Sequence, residues 1–245
     1  MTEGKWLTPS TPWEAMFRYI RDKAPPTPAR KLQLLGCAAL QLLGPQPHLE
    51  GFDEAFAINS RHADGLLPDE SYPRATALAD RLMNRWIIGA VRDQTTPDYA
   101  AAYALRALFS TPVDEGVQRA LEWVVAYLAR LAGPGLAQAA RDAANQRLGG
   151  IFRELFGNPF QPRSIATLEW RSAGGEVTPW MIVVGESARA LALGIQADQA
   201  FDRMPILADA LEDDGCNNLE LLGHLREHRT HLRGCWALDL VLGRG

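Results

Sequence analysis

Between Thr111-Pro112 and Gly133-Pro134-Gly135 the chain carries one apolar stripe: Val113, Val117, Leu121, Val124, Leu128 and Leu131. These residues recur at the three- and four-residue spacing of a single helix face. Proline at the entrance and Gly-Pro-Gly at the exit are the punctuation a helix boundary requires. The same grammar recurs along most of the sequence, so the chain is expected to be mainly α.

Thr11-Pro12-Trp13-Glu14 has the capping-box spacing with proline at the first helical position, and the helix it opens should end before Pro25-Pro26. Leu32, Leu35, Ala39 and Leu42 mark a helix over 29–43, stopped by Gly44-Pro45. Further helices are expected over 52–65, 74–92, 97–110 and 136–147. Gly149-Gly150 reads as a break, with helix resuming over 151–156. Two runs rich in β-branched and aromatic residues, 165–171 and 176–184, flank Ser172-Ala173-Gly174-Gly175, which predicts a small β-hairpin over 165–184. Helices then resume over 186–197 and 204–214, with Asn218 capping another and a last one over 236–242. The expected organisation is a helical part over 1–148, built of helix pairs that could stack as a solenoid does, and a helical unit over 149–245 carrying the hairpin. The two parts could share one core.

Composition narrows the function classes. Lys+Arg number 25 against 29 Asp+Glu, a net charge of −4 in 245 residues, with 47% apolar content. That balance excludes a disordered chain and argues against a basic nucleic-acid-binding domain. Three cysteines, Cys37, Cys216 and Cys235, make no disulfide framework and suit a reducing, cytoplasmic setting. The first residues lack the apolar core of a signal peptide, and no apolar run approaches the ~20 residues of a membrane helix.

Chemistry concentrates near the carboxy terminus, where Cys216, His224, His228, His231 and Cys235 fall close together. Cys216, His224, His231 and Cys235 are the candidate ligands, of types that suit zinc. On one unbroken helix, His224 and Cys235 would lie roughly 16 Å apart, whereas a tetrahedral site is only about 4 Å across. A site therefore requires the chain to reverse near Thr230 or Gly234, or Cys216 to fold back. The competing reading places buried thiols in a core and makes Arg226, Arg229 and Arg233 a mildly basic face for an anion or partner. The acid-rich stretch over 198–214 is a natural counterpart for that face. His231 and Cys235 also have the spacing of a thiol–base pair. Gly185-Glu186-Ser187-Ala188-Arg189 approximates a nucleophile elbow but lacks its second glycine. No phosphate-binding or dinucleotide-binding glycine loop is present.

Three segments also carry a family resemblance: Arg153-Glu154-Leu155-Phe156-Gly157-Asn158-Pro159-Phe160, then Phe201-Asp202-Arg203-Met204-Pro205-Ile206-Leu207-Ala208-Asp209-Ala210-Leu211-Glu212, then His231-Leu232-Arg233-Gly234-Cys235-Trp236 with Asp239-Leu240. With the opening Met1-Thr2-Glu3, Trp6-Leu7 and Arg30-Lys31-Leu32, they resemble a family of bacterial hypothetical proteins plentiful in planctomycetes. The resemblance covers about 1–44 and 150–245. It implies a bacterial cytosolic protein and attaches no activity. The family holds His-Cys-Arg where this chain has His224-Leu225-Arg226, so one potential ligand is absent here. Helix pairs, scattered aromatics and the lack of a complete catalytic set favour a non-enzymatic protein-interaction or adaptor module with a protein partner. The alternative is a zinc-binding or thiol/His-based enzyme built on the carboxy-terminal cluster.

Overall fold

The computed structural model describes residues 1–22, 27–45, 49–88, 95–160 and 184–244. Among the described residues it contains twelve α-helices and no strand. In chain order these are α1 (Glu3–Leu7), α2 (Trp13–Asp22), α3 (Ala29–Leu40), α4 (Phe52–Ala63), α5 (Tyr72–Ile88), α6 (Pro97–Ala107), α7 (Val113–Ala132), α8 (Ala137–Phe156), α9 (Glu186–Asp198), α10 (Met204–Asp213), α11 (Leu219–Arg226) and α12 (Trp236–Val241). The hairpin expected over 165–184 lies outside the described residues except for Val184. None of the helices is long and apolar enough to cross a membrane. The chain divides into two compact units, Met1–Arg153 and Glu154–Gly245.

In the first unit α3 is buried almost all the way round: Leu32, Leu34, Leu35, Cys37, Ala38, Ala39 and Leu40 are all buried. A helix apolar on every side belongs at the centre, and α3 packs against α4, α6 and α7. Because α3 meets α7, far along the chain, the helices do not form the strictly sequential stack of a solenoid. Of the stripe predicted on α7, Val117, Leu121 and Val124 are buried, joined by Ala120, whereas its last member, Leu131, is 63% exposed beside the stop at Gly133. Close packing of α6 on α7 depends on Gly116, where an added Cβ would lie 2.5 Å from the Ala107 carbonyl oxygen.

Helix α8 corrects the break expected at Gly149-Gly150. It runs unbroken for 20 residues. Two glycines cost a helix interior roughly 1 kcal/mol each. Burial of Leu148, Ile151 and Phe152 outweighs that, at about 1.5–3 kcal/mol for each large apolar side chain. Trp6 of α1 meets Phe152 edge-on, with ring centroids 6.3 Å apart. Arg153 donates from Nε to the Trp6 carbonyl oxygen at 3.0 Å.

The second unit is built from the last residues of α8 and from α9 to α12. Its apolar core gathers Ala188, Ile195, Leu207, Leu211, Leu221, Leu225, Trp236 and Leu238, with Val184 packed on its edge. Helix ends follow residue chemistry. Gly215, at φ +94°, turns the chain out of α10, and the Cys216 amide donates to the Leu211 carbonyl oxygen at 2.8 Å. Asn218 caps α11 by accepting the Leu221 amide at 2.9 Å. Ser187 is exposed in the first turn of α9, and the run expected to precede it in an elbow lies outside the described residues except for Val184.

Candidate metal centre

Four elements of the second unit each bring one chemistry-bearing side chain to a common point: Glu154 from the end of α8, His224 from the last turn of α11, His231 from the connection after it, and Cys235 from the position capping α12. One donor atom from each lies within 4.8 Å of the others, and all four residues are buried. The convergence depends on two breaks in the helix. Glu227, with extended backbone (φ −64°, ψ 128°), ends α11. Gly234, at φ +84°, then allows the tight turn in which the Cys235 amide donates to the Leu232 carbonyl oxygen at 2.9 Å. A side chain at that φ would be strained. The chain thus reverses between α11 and α12, as a shared site requires.

The sequence-predicted residues separate cleanly. His224, His231 and Cys235 come together. Cys216 stands outside their group, in the apolar core, with its thiol pushed up by burial. His228 is exposed beyond the end of α11, so it does not share a helix face with His224. Glu154 was absent from the candidate set. Its signal is local: Ile151, Phe152, Leu155 and Phe156 surround it with buried apolar side chains. An acid so flanked is either buried or strands that apolar surface in water.

The separations are of coordination size. His224 Nε2 lies 3.1 Å from Cys235 Sγ and 3.5 Å from Glu154 Oε2. His231 Nδ1 lies 3.0 Å from Glu154 Oε1 and 4.0 Å from Cys235 Sγ. Tetrahedral zinc bonds of 2.0–2.3 Å place neighbouring ligand atoms roughly 3.3–3.8 Å apart, so small movements would close a shell. One buried polar atom of the group, His231 Nε2, has no hydrogen-bond partner, and Glu154 Oε2 has only the long approaches of His224 Nε2 at 3.5 Å and Arg229 Nε at 3.6 Å. Such atoms are costly unless something satisfies them.

Burial raises the Glu154 carboxyl, but hydrogen bonds from His224 and His231 outweigh it and hold the group at about 2. Burial lowers His224 despite the opposing pull of Glu154, so the ring is neutral near pH 7 and serves Glu154 as an N–H donor. Burial, reinforced by the charge of Glu154, raises the Cys235 thiol well above its ordinary range. The group therefore holds one buried negative charge, two imidazoles and a protonated thiol.

Its surroundings supply the compensating charge. The Arg229 guanidinium lies 3.6 Å from Glu154 Oε2, donates to His224 Nδ1 and pairs with Glu227 at 2.6 Å. The Trp236 indole N–H also donates to His224 Nδ1, at 3.0 Å. Arg226 is exposed and paired with Asp209 at 2.7 Å and with Glu212, so the acidic stretch does meet the basic face. Arg233 is half-buried on the turn before Cys235. Arg226 and Arg229 are thus engaged by carboxylates of their own chain. A cleft of about 610 Å³ in the first unit, lined by Lys5, Thr11, Arg18, Tyr19 and Asp22, gathers no comparable donor set among the described residues.

Comparison with protein-family models, curated proteins and solved structures returns no match. The donor group is therefore weighed on its own chemistry.

Proposed function

We propose that the second unit is organised by a bound divalent cation of the zinc class, held by Glu154, His224, His231 and Cys235. The observation that carries this reading is the gathering of four buried donors from four separate stretches of chain within 4.8 Å. The donor types are those of zinc, a borderline-soft ion that accepts imidazole, thiolate and carboxylate together. Two imidazoles and a carboxylate are also the ligand set of hydrolytic zinc centres, which keep water in the fourth position. Here Cys235 stands in that position, which makes the shell closed and the metal's role structural.

Charge supports the same reading. A divalent cation bound by the Glu154 carboxylate and the Cys235 thiolate is neutral overall, with the imidazoles neutral. Binding would drive off the thiol proton, because a coordinating thiol is deprotonated outright. A thiol catalyst fits less well, since it needs a lowered thiol pKa and access, whereas Cys235 is fully buried and its thiol is raised. A closed structural metal accords with a non-enzymatic protein-interaction module, in which the metal fixes the relative placement of α11 and α12.

Elemental analysis of the purified full-length protein tests the reading. About one equivalent of zinc is expected in the wild type, and little in Cys235→Ser or His231→Ala. Less than about a tenth of an equivalent after incubation with zinc and desalting would contradict it.

A further inference from the structure

Metal uptake at this group cannot leave its surroundings unchanged, because His224 is already committed on both nitrogens. We propose that Arg229 is the resident cation of the metal-free group, and that metal loading displaces both Arg229 and the Trp236 indole from His224. This rests on the metal reading above and deepens it.

The argument begins with a proton count. Trp236 Nε1 and the Arg229 guanidinium are donors only, and both address His224 Nδ1. The Nδ1 atom must therefore carry a lone pair, and the ring proton sits on Nε2, facing Glu154 and Cys235. A metal bound through Nε2 needs that lone pair instead. The neutral ring must then carry its proton on Nδ1, where it meets two donors. Both hydrogen bonds to Nδ1 are lost as the ring changes tautomer. The proton balance is simple: the ring keeps its one proton, moved from Nε2 to Nδ1, and the Cys235 thiol proton leaves to solvent.

Charge gives an independent reason for Arg229 to move. Without metal, its guanidinium balances the buried Glu154 carboxylate at 3.6 Å. With metal, carboxylate and thiolate already balance the cation, so the attraction that the lone carboxylate exerts on the guanidinium is lost. Arg229 has somewhere to go. Its side chain is 40% exposed, and Glu227 already holds one of its nitrogens at 2.6 Å. Trp236 is the natural reporter, since its ring centroid lies 4.9 Å from that of His224.

The test is zinc titration of the full-length protein, against a chromophoric chelator and by intrinsic fluorescence, for wild type, Arg229→Gln and Trp236→Phe. Each substitution removes one hydrogen bond that zinc must otherwise break. Each is expected to tighten zinc binding by roughly three- to tenfold, the equivalent of one net hydrogen bond. Zinc should change wild-type tryptophan emission, and that change should be absent in Trp236→Phe. Should Trp236→Phe fail to fold, Arg229→Gln, at a partly exposed side chain, decides the question through affinity alone. Wild type that binds zinc, with Arg229→Gln no tighter, overturns the displacement and leaves the metal site standing. Wild type that binds no zinc overturns the metal site itself.

Discussion

The two units bury polar side chains in different ways. In the first, polar side chains meet in pairs between neighbouring helices, with single atoms such as Asn59 Oδ1 left over. Asp64, at the end of α4, pairs with Arg30 of α3, and Asn59 of α4 donates to Cys37 Sγ of α3 at 3.2 Å. In the second, Glu154 and three donors of the carboxy-terminal stretch, His224, His231 and Cys235, meet at one point. A buried pair of opposite charges is locally complete. A cluster of one carboxylate, two imidazoles and a thiol is not, and it gains most from a cation at its centre. The difference teaches that polar burial alone does not mark a site; convergence of several metal-type donors does.

The largest expected effect comes from metal. With zinc at about a thousandfold excess over its dissociation constant, linkage adds roughly 4 kcal/mol to whatever unfolds with the site. Hydrogen exchange on full-length protein should show that protection in α11 and α12, lost on adding a chelator, with α7 unaffected. Equal effects in α7 would break the contrast between the units. The mirror experiment is Leu121→Ala. Leu121 is fully buried in the first unit, and its truncation should cost about 3 kcal/mol there without changing zinc uptake.

Acid sharpens the contrast in metal-free protein. Glu154 falls from an ordinary 4.5 to about 2 in the folded chain. The unfolded chain therefore binds this proton first as pH drops, and stability present above pH 4.5 is lost between 4.5 and 2. The loss should amount to about 3 kcal/mol. His224 is lowered from 6.5, so it too makes the unfolded chain the better proton binder, and its contribution begins to fade below pH 6.5. Glu154→Gln should remove the lower of these two steps; an unchanged acid profile in that variant would contradict the assignment. The smallest effect is a helix cap. Asn218→Ala should cost about 1 kcal/mol by freeing the Leu221 amide, loosening α11 with only a slight change in zinc affinity.

Much of the helical grammar was legible in the sequence because it is local. Gly133 and Gly215 end helices, Asn218 caps one, and helix rise alone shows that one unbroken helix could not gather His224 and Cys235 at a site. Gly149-Gly150 misled because intrinsic propensity is worth only about 1 kcal/mol per glycine, less than the burial of Leu148 and Phe152 on either side. Three members of the metal group were visible as a His/Cys concentration. Glu154 was not, since it is distant in sequence and looks like any acid beside an arginine. Cys216 appeared equivalent to Cys235 because both are cysteines next to a helix. They differ in what the fold places opposite them: Leu211 and its apolar neighbours for one, Glu154 and two histidines for the other.

The central claim concerns what fills the space among Glu154, His224, His231 and Cys235, and X-ray absorption at the zinc edge of the full-length protein addresses it most directly. The account predicts one sulfur neighbour at about 2.3 Å and three nitrogen or oxygen neighbours at about 2.0–2.1 Å, with the sulfur lost in Cys235→Ser. A shell of oxygen and nitrogen alone in the wild type, or a sulfur that persists in Cys235→Ser, would contradict it.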